Sequence, residues 1–337
     1  MPVKFSDEEF ITAWKRLGSP KAVAQALGLD IRGVYARRQR IEDRHGVLLE
    51  TITEGHGGRP KVLVPKQGFR AISDNIKGTV IIGGDLHAWP GERSVAFGAM
   101  VELVKELNPA MVIMNGDVFD GSRISRHPPG SWCQLPSVAD ELDAVKERLA
   151  EIESVAPKNC PLILPAGNHD TRFSSRLAMN APEYIGVEGF DLADHLKAWQ
   201  FCWSIWLNGH TVVKHRWHQG VHGAYNNVLK GGKNIFTNHT HRLQATMCAD
   251  YNGLRWGVEC GTLSAFGPEN DKYSYSEDCP PNWSEGFVVA HFSNTGMLLE
   301  PEFCRVLNGT AYFRGQQVCS AHGVILPKSK GKQKVAA

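Results

Sequence analysis

Four short apolar runs in this chain each break off into side chains that bind metals or move protons. Val80, Ile81 and Ile82 lead into Gly83, Gly84, Asp85, Leu86 and His87. Met111, Val112, Ile113 and Met114 lead into Asn115, Gly116, Asp117, Val118, Phe119 and Asp120. Leu162, Ile163, Leu164 and Pro165 lead into Gly167, Asn168, His169 and Asp170. Asn234, Ile235, Phe236 and Thr237 lead into Asn238, His239, Thr240 and His241. Between the first and second runs, Ala96, Met100, Leu103, Val104 and Leu107 follow helical spacing. Val138, Leu142, Val145, Leu149 and Ile152 do so between the second and third. Strand, helix, strand, helix, strand predicts an α/β fold with parallel strands and flanking helices. Ligands bind outside the carboxyl ends of such strands, so the four endings are expected to converge.

A helical stretch is expected from Asp170 to about residue 198. The pattern then turns to strands over residues 201–207, 211–214, 245–251, 254–260 and 287–292. Asn208 with Gly209 and Asn252 with Gly253 are hairpin signals, so this second layer is expected to be more antiparallel. No internal repeat is visible.

Residues 6–46 predict three short helices. Ser6 and Glu9 form a capping box before Phe10, Ile11 and Trp14, and Gly18 ends that helix. Ser19 and Pro20 start a second helix with Val23, Ala24 and Leu27 inward, ended by Gly28. Asp30 caps a third, with Ile31, Val34, Tyr35 and Ile41 inward and Arg32, Arg37, Arg38 and Arg40 elsewhere. Helix, tight Gly turn and basic helix resemble the small winged or homeodomain-like helix-turn-helix modules, which implies DNA contact through these four arginines. The other reading is a three-helix cap with solvated arginines. The expected organisation is a helix-turn-helix domain over 1–50, a basic linker or β-wing over 51–77, a large α/β domain over 78–312 and a basic tail over 313–337. Val62, Leu63 and Val64 are candidates for a short strand in the linker.

Composition narrows the classes. With 337 residues, the chain allows one large domain plus a small one. A net charge of +2 excludes a polycation, so any nucleic-acid surface must come from local clustering. The eight cysteines form no C-x-x-C pair, which argues against a cysteine-rich zinc module. Scattered thiols and a polar, acidic start predict a cytoplasmic protein with no membrane partner.

The candidate ligands, in order, are Asp85, His87, Asp117, Asn168, a later His, His239 and His241. Carboxylate, imidazole and amide oxygen suit Mn²⁺, Fe or Zn²⁺. A carboxylate such as Asp117 can bridge two ions about 3.5–4 Å apart, which together clamp an in-line displacement at phosphorus.

Asp-x-His, Gly-Asp-x-x-Asp, Gly-Asn-His-Asp and a final His-x-His, in this order over about residues 78–300, resemble the calcineurin-like metallophosphoesterases. That resemblance implies a four-layer α/β/β/α sandwich. It implies Asp85, His87 and His241 on one ion, Asp117 as the bridge, and Asn168, an isolated His and His239 on the other. His169 would protonate the leaving oxygen or stabilise the transition state, with Asp170 holding its imidazole. The chain departs from the family pattern in having Asn238 where Gly is usual, and Arg216 after His215. His215 is favoured as the isolated ligand because it ends a strand; His218 and His222 are the alternatives. Arg123, Arg126, His127 and Arg172 are candidates to reach a substrate phosphate. Trp203, Trp206, Trp217, Trp256 and Trp283 read as core or rim of the β layer, with base stacking by one or two as the other reading.

The implied cofactor is a pair of divalent ions, Mn²⁺ first, with Fe, Zn²⁺ or Ni²⁺ as alternatives. The architecture also resembles phosphoesterases carried by bacteriophages and prophages, which would place it in the host cytoplasm, and more distantly repair nucleases. The leading expectation is a DNA nuclease. The alternatives are a phosphatase or small-molecule phosphodiesterase, and a DNA-binding regulator with an inert phosphoesterase domain.

Overall fold

The computed structural model describes residues 5–45, 49, 70–127, 134–266, 281–321 and 323–324. The chain divides into two compact units, residues 1–58 and 59–337.

The first unit holds α1 (Asp7–Leu17), α2 (Pro20–Leu27) and α3 (Ile31–His45) around Phe10, Trp14, Val23, Val34, Ile41 and Leu49. The expected caps form: Ser6 and Glu9 make a reciprocal capping box, Ser19 accepts from the Ala22 amide, and Asp30 accepts from the Arg32 amide at 2.9 Å. Two expectations for α3 need correction. Ile31 and Tyr35 face outward, 41% and 54% exposed, because Val34 and Ile41 are the α3 residues that enter the core shared with α1 and α2. Arg37 and Arg38 do not project freely. Arg37 pairs with Asp7 at 3.2 Å, and Arg38 pairs with Glu42 at 2.9 Å and stacks over the Trp14 ring. Arg32 and Arg40 are exposed.

The second unit is built on two mixed sheets. The nine-stranded sheet runs in the order β15 (Gly323–Val324), β14 (Gln316–Ser320), β13 (Thr310–Phe313), β12 (Glu302–Leu307), β11 (Gly286–Phe292), β2 (Gly78–Gly83), β3 (Met111–Met114), β4 (Leu162–Pro165) and β5 (Gln200–Cys202). β2 through β5 are parallel, as the strand-helix alternation requires. The six-stranded sheet runs β1 (Arg70–Ser73), β6 (Ser204–Leu207), β7 (Thr211–Val213), β8 (Asn234–Thr237), β10 (Gly253–Cys260) and β9 (Leu243–Asp250).

Apolar residues from both sheets, among them Val80, Ile82, Ile113, Ile163, Ile205, Val213, Phe236 and Val258, form one core between them. A second core packs the other face of the larger sheet against α4 (Val95–Leu107) and α5 (Val138–Val155). α8 (Gly223–Gly231) covers β8, β9 and β10 of the smaller sheet. The layers are therefore helix, sheet, sheet, helix. The second layer is less antiparallel than expected, since β1 with β6, β7 with β8 and β8 with β10 are parallel pairs.

Four boundaries move. Residues 201–207 are not one strand: the chain breaks at Trp203, sending β5 to one sheet and β6 to the other. β1 falls inside the expected linker yet pairs in register with β6, Arg70 to Ser204 through Ser73 to Leu207. β14 and β15 fall inside the expected tail yet close the edge of the larger sheet. The helix expected to residue 198 is α6 (Asp170–Asn180), a short 3-10 turn and α7 (Leu192–His195). Val62 to Val64 and residues 325–337 lie outside the described residues. Among the described residues no helix is long and apolar enough to cross a membrane.

Candidate metal centre

The carboxyl ends of β2, β3, β4, β7 and β8 bring the candidate ligands together. Asp85, His87 and His241 have donor atoms within 4.8 Å of one another, and so do Asp117, His215 and His239. Asp117 sits between the two groups: its Oδ2 is 3.1 Å from His215 Nε2 and 4.0 Å from His87 Nε2. Asn168 Oδ1 is 3.2 Å from His215 Nε2. His218 and His222 stand elsewhere, at the loop before α8, where the His218 amide donates to Asn227.

The backbone explains the aim. Asp85, His87, Asp117, His239 and His241 all have positive φ, between 42° and 71°. Asp and His tolerate this region better than most residues, but five instances in one pocket mark strained turns after β2, β3 and β8. Two glycines make the closeness possible. A Cβ on Gly167 would stand 2.0 Å from Asp117 Oδ1, and one on Gly116 would stand 2.5 Å from His215 Nδ1. Asn238, the departure from the family pattern, is buried and useful: it accepts from Asn115 Nδ2 and donates to the Gly261 carbonyl, both at 2.9 Å.

The pocket suits cations. Asp85 Oδ1 is buried and accepts no hydrogen bond among the described residues, an unmet need for positive charge. Burial, with His169 and His215 respectively, pushes His87 and His239 down to about 4. Burial and His87 put His241 well below the usual imidazole range. These three rings are thus neutral near pH 7, the form that donates a lone pair to a metal. Burial pushes Asp85 up to about 7. His215 goes the other way: burial opposes its charge, but Asp117 and Asp85 raise it to about 9. A cation entering there must displace the proton that His215 shares with Asp117. The Asn115 carbonyl accepts from His215 Nδ1 at 2.8 Å, which leaves Nε2 to face the pocket.

His169 lies beside these groups, with its ring centroid 4.5 Å from that of His87. Its expected holder is wrong. Asp170 does not touch the imidazole; its carboxylate accepts the amides of Asp117, Val118, Phe119 and Gly167 at 2.8–3.1 Å. The reason is position: as the first residue of α6, Asp170 points back at the turn that carries Asp117. Asp120 does the orienting. Its carboxylate is 3.1 Å from His169 Nδ1 and 2.9 Å from His87 Nδ1. The signal was present as the second acid of Gly-Asp-x-x-Asp. Truncation at Asp170→Ala strands four buried amides and is expected to cost about 3–5 kcal/mol in urea unfolding. A loss under about 1 kcal/mol would contradict this role.

The phosphate candidates divide. Arg172 donates to His169 Nε2 at 3.0 Å and to the Asp120 carbonyl at 2.8 Å, so it belongs to the site. Arg123 is engaged instead with the backbone carbonyls of Leu135 and Pro136. Arg126 and His127 are exposed and contact each other at 3.4 Å. Trp283 stacks at a tilt on His241, ring centroids 4.4 Å apart.

A family model described as calcineurin-like phosphoesterase matches residues 78–315. No curated protein matches the chain. Similar solved structures include Vps29 with zinc from Entamoeba histolytica, at 12% identity and TM-score 0.37, covering 69% of this chain and 96% of that one. An archaeal phosphodiesterase aligns at 13% identity and TM-score 0.32, over 67% and 99%. A purple acid phosphatase from yellow lupin seeds aligns at 14% identity and TM-score 0.35, over 70% and 52%.

Proposed function

The chain belongs to the calcineurin-like phosphoesterase family, and we propose that its reaction is the hydrolysis of phosphodiester bonds in DNA with two divalent ions, Mn²⁺ first among them. The observation that carries this reading is the pair of donor groups meeting at Asp117. Asp85, His87, His241 and Asp117 would hold one ion. Asp117, Asn168, His215 and His239 would hold the other. Bound there, the two cations supply Lewis-acid polarisation of the phosphoryl group and activation of the attacking water.

The chain's own groups do the rest. The Asp120 carbonyl and carboxylate face His169 Nδ1, so that nitrogen keeps its hydrogen and Nε2 is the atom that exchanges a proton with the leaving oxygen. Arg172, now donating to Nε2, is placed to redirect that hydrogen bond to a phosphate oxygen and uncover the nitrogen. DNA is the favoured substrate because α3 leaves Arg32 and Arg40 exposed behind a tight turn.

Purified protein incubated with single- and double-stranded DNA, with Mn²⁺ or with EDTA, tests the reading. Cleavage only with Mn²⁺ is expected. Turnover of bis-p-nitrophenyl phosphate without DNA cleavage would favour the small-molecule phosphodiesterase, and turnover of p-nitrophenyl phosphate alone would favour a phosphatase. In EDTA, Arg32→Ala with Arg40→Ala is expected to lower the slope of log affinity against log salt for duplex DNA by about 2. Arg38→Gln is expected to leave that slope unchanged and lower the melting temperature, because its partners are within the unit. An unchanged slope in the double variant would remove α3 from the DNA contact.

A further inference from the structure

The loop after β8 carries His239 and His241 on two left-handed residues, with Thr240 between them. The Thr240 hydroxyl donates to Glu259 Oε1 at 2.7 Å. Glu259 is wholly buried on β10, beside Thr237 of β8 and Gln244 of β9. The Gln244 amide donates to its second oxygen. Arg242, one residue past His241, stands 3.3 Å from Oε1 and also donates to the carbonyls of Gln219 and Gly220 at 2.7 and 2.9 Å. One carboxylate therefore ties the loop that holds His239 and His241 to the loop that follows His215.

Taking a carboxylate out of water is costly, and its partners here return little beyond the cost. A Val or Leu on β10 would fill the same place in a sheet without that cost. Stability alone therefore does not account for a charge at this position, whereas a fixed loop geometry does. We propose that Glu259 is a positioning residue of the metal centre. Through Thr240 and Arg242 it holds His239, His241 and the segment after His215 at the spacing that two divalent ions need. The inference rests on the two-metal reading and adds to it a residue that touches neither ion.

The competing role for Glu259 is to neutralise Arg242 and nothing more. Thr240→Val separates the two, because it removes one hydroxyl and keeps the Glu259–Arg242 pair. The full chain, stripped of metal, is titrated with MnCl₂ in a calorimeter, and its metal-free melting temperature is recorded. Thr240→Val is expected to weaken Mn²⁺ binding about 10- to 100-fold with little change in that melting temperature, and Thr240→Ser to restore it to within about threefold. Glu259→Gln is expected to weaken binding at least as much as Thr240→Val, since Arg242 also loses its counter-charge. Wild-type affinity in Thr240→Val or Glu259→Gln, or a Ser variant as weak as Val, would overturn the proposal. A wild-type chain that takes up no Mn²⁺ in the same titration would instead overturn the two-metal reading.

Discussion

Replacing Asp117 with Asn is expected to lower phosphodiester hydrolysis by about three orders of magnitude or more while leaving the fold intact. The amide is nearly the same size, and its oxygen can still accept the His169 amide that Asp117 Oδ1 accepts at 2.8 Å. Its nitrogen is another matter. It would donate to His215 Nε2, which lies 3.1 Å from Asp117 Oδ2, and so occupy a lone pair meant for a cation. The shared ligand and the charge are lost together. Lewis-acid stabilisation is worth several kcal/mol, and each 1.36 kcal/mol is about tenfold in rate. Turnover of bis-p-nitrophenyl phosphate, with circular dichroism as the control for folding, measures the loss. A native-like variant within tenfold of the parent would remove Asp117 from the centre of the chemistry.

His169→Ala is expected to lower kcat on DNA by about 10²- to 10⁴-fold, the usual worth of a placed general acid. An activated leaving group needs no such proton, so the loss on bis-p-nitrophenyl phosphate is expected to stay below about tenfold. Equal losses on both substrates would argue against proton donation. The pH profile carries the same information. Burial alone would lower the His169 imidazole, but Asp120 and Asp117 override it and raise it above the ordinary value. A group that must be protonated to act is present below its pKa and lost above it. Cleavage of DNA is therefore expected to fall as pH rises through the His169 pKa of the metal-loaded chain, and the limb is expected to vanish in the Ala variant.

The parts of this molecule that could be read from sequence are those set by local pattern. Strands β2, β3, β4 and β8 are apolar because both their faces are covered, and polar residues appear where they emerge. The placement of Asp85, His87, Asp117, His239 and His241 followed from that single fact. What sequence left hidden depends on direction rather than type. Asp120 and Asp170 both lie near His169, but only the turn at Phe119 and the start of α6 decide which carboxylate meets the imidazole. Arg37 and Arg38 resembled their neighbours until α1 supplied Asp7 and Trp14 as partners. Residues 201–207 are apolar except for Ser204 and read as one strand, and nothing local announced that Trp203 separates two sheets.

Strand β1 gives the molecule an awkward seam. The stretch that matches the family begins at Gly78, yet the smaller sheet takes its outermost strand from Arg70–Ser73 and lays it along β6. Scissors placed at the family boundary would peel that strand away, baring the backbone donors and acceptors of β6 to solvent and to other copies. Anyone wishing to separate the helical unit from the catalytic one should cut upstream of Arg70, and keep the strand with the sheet it completes.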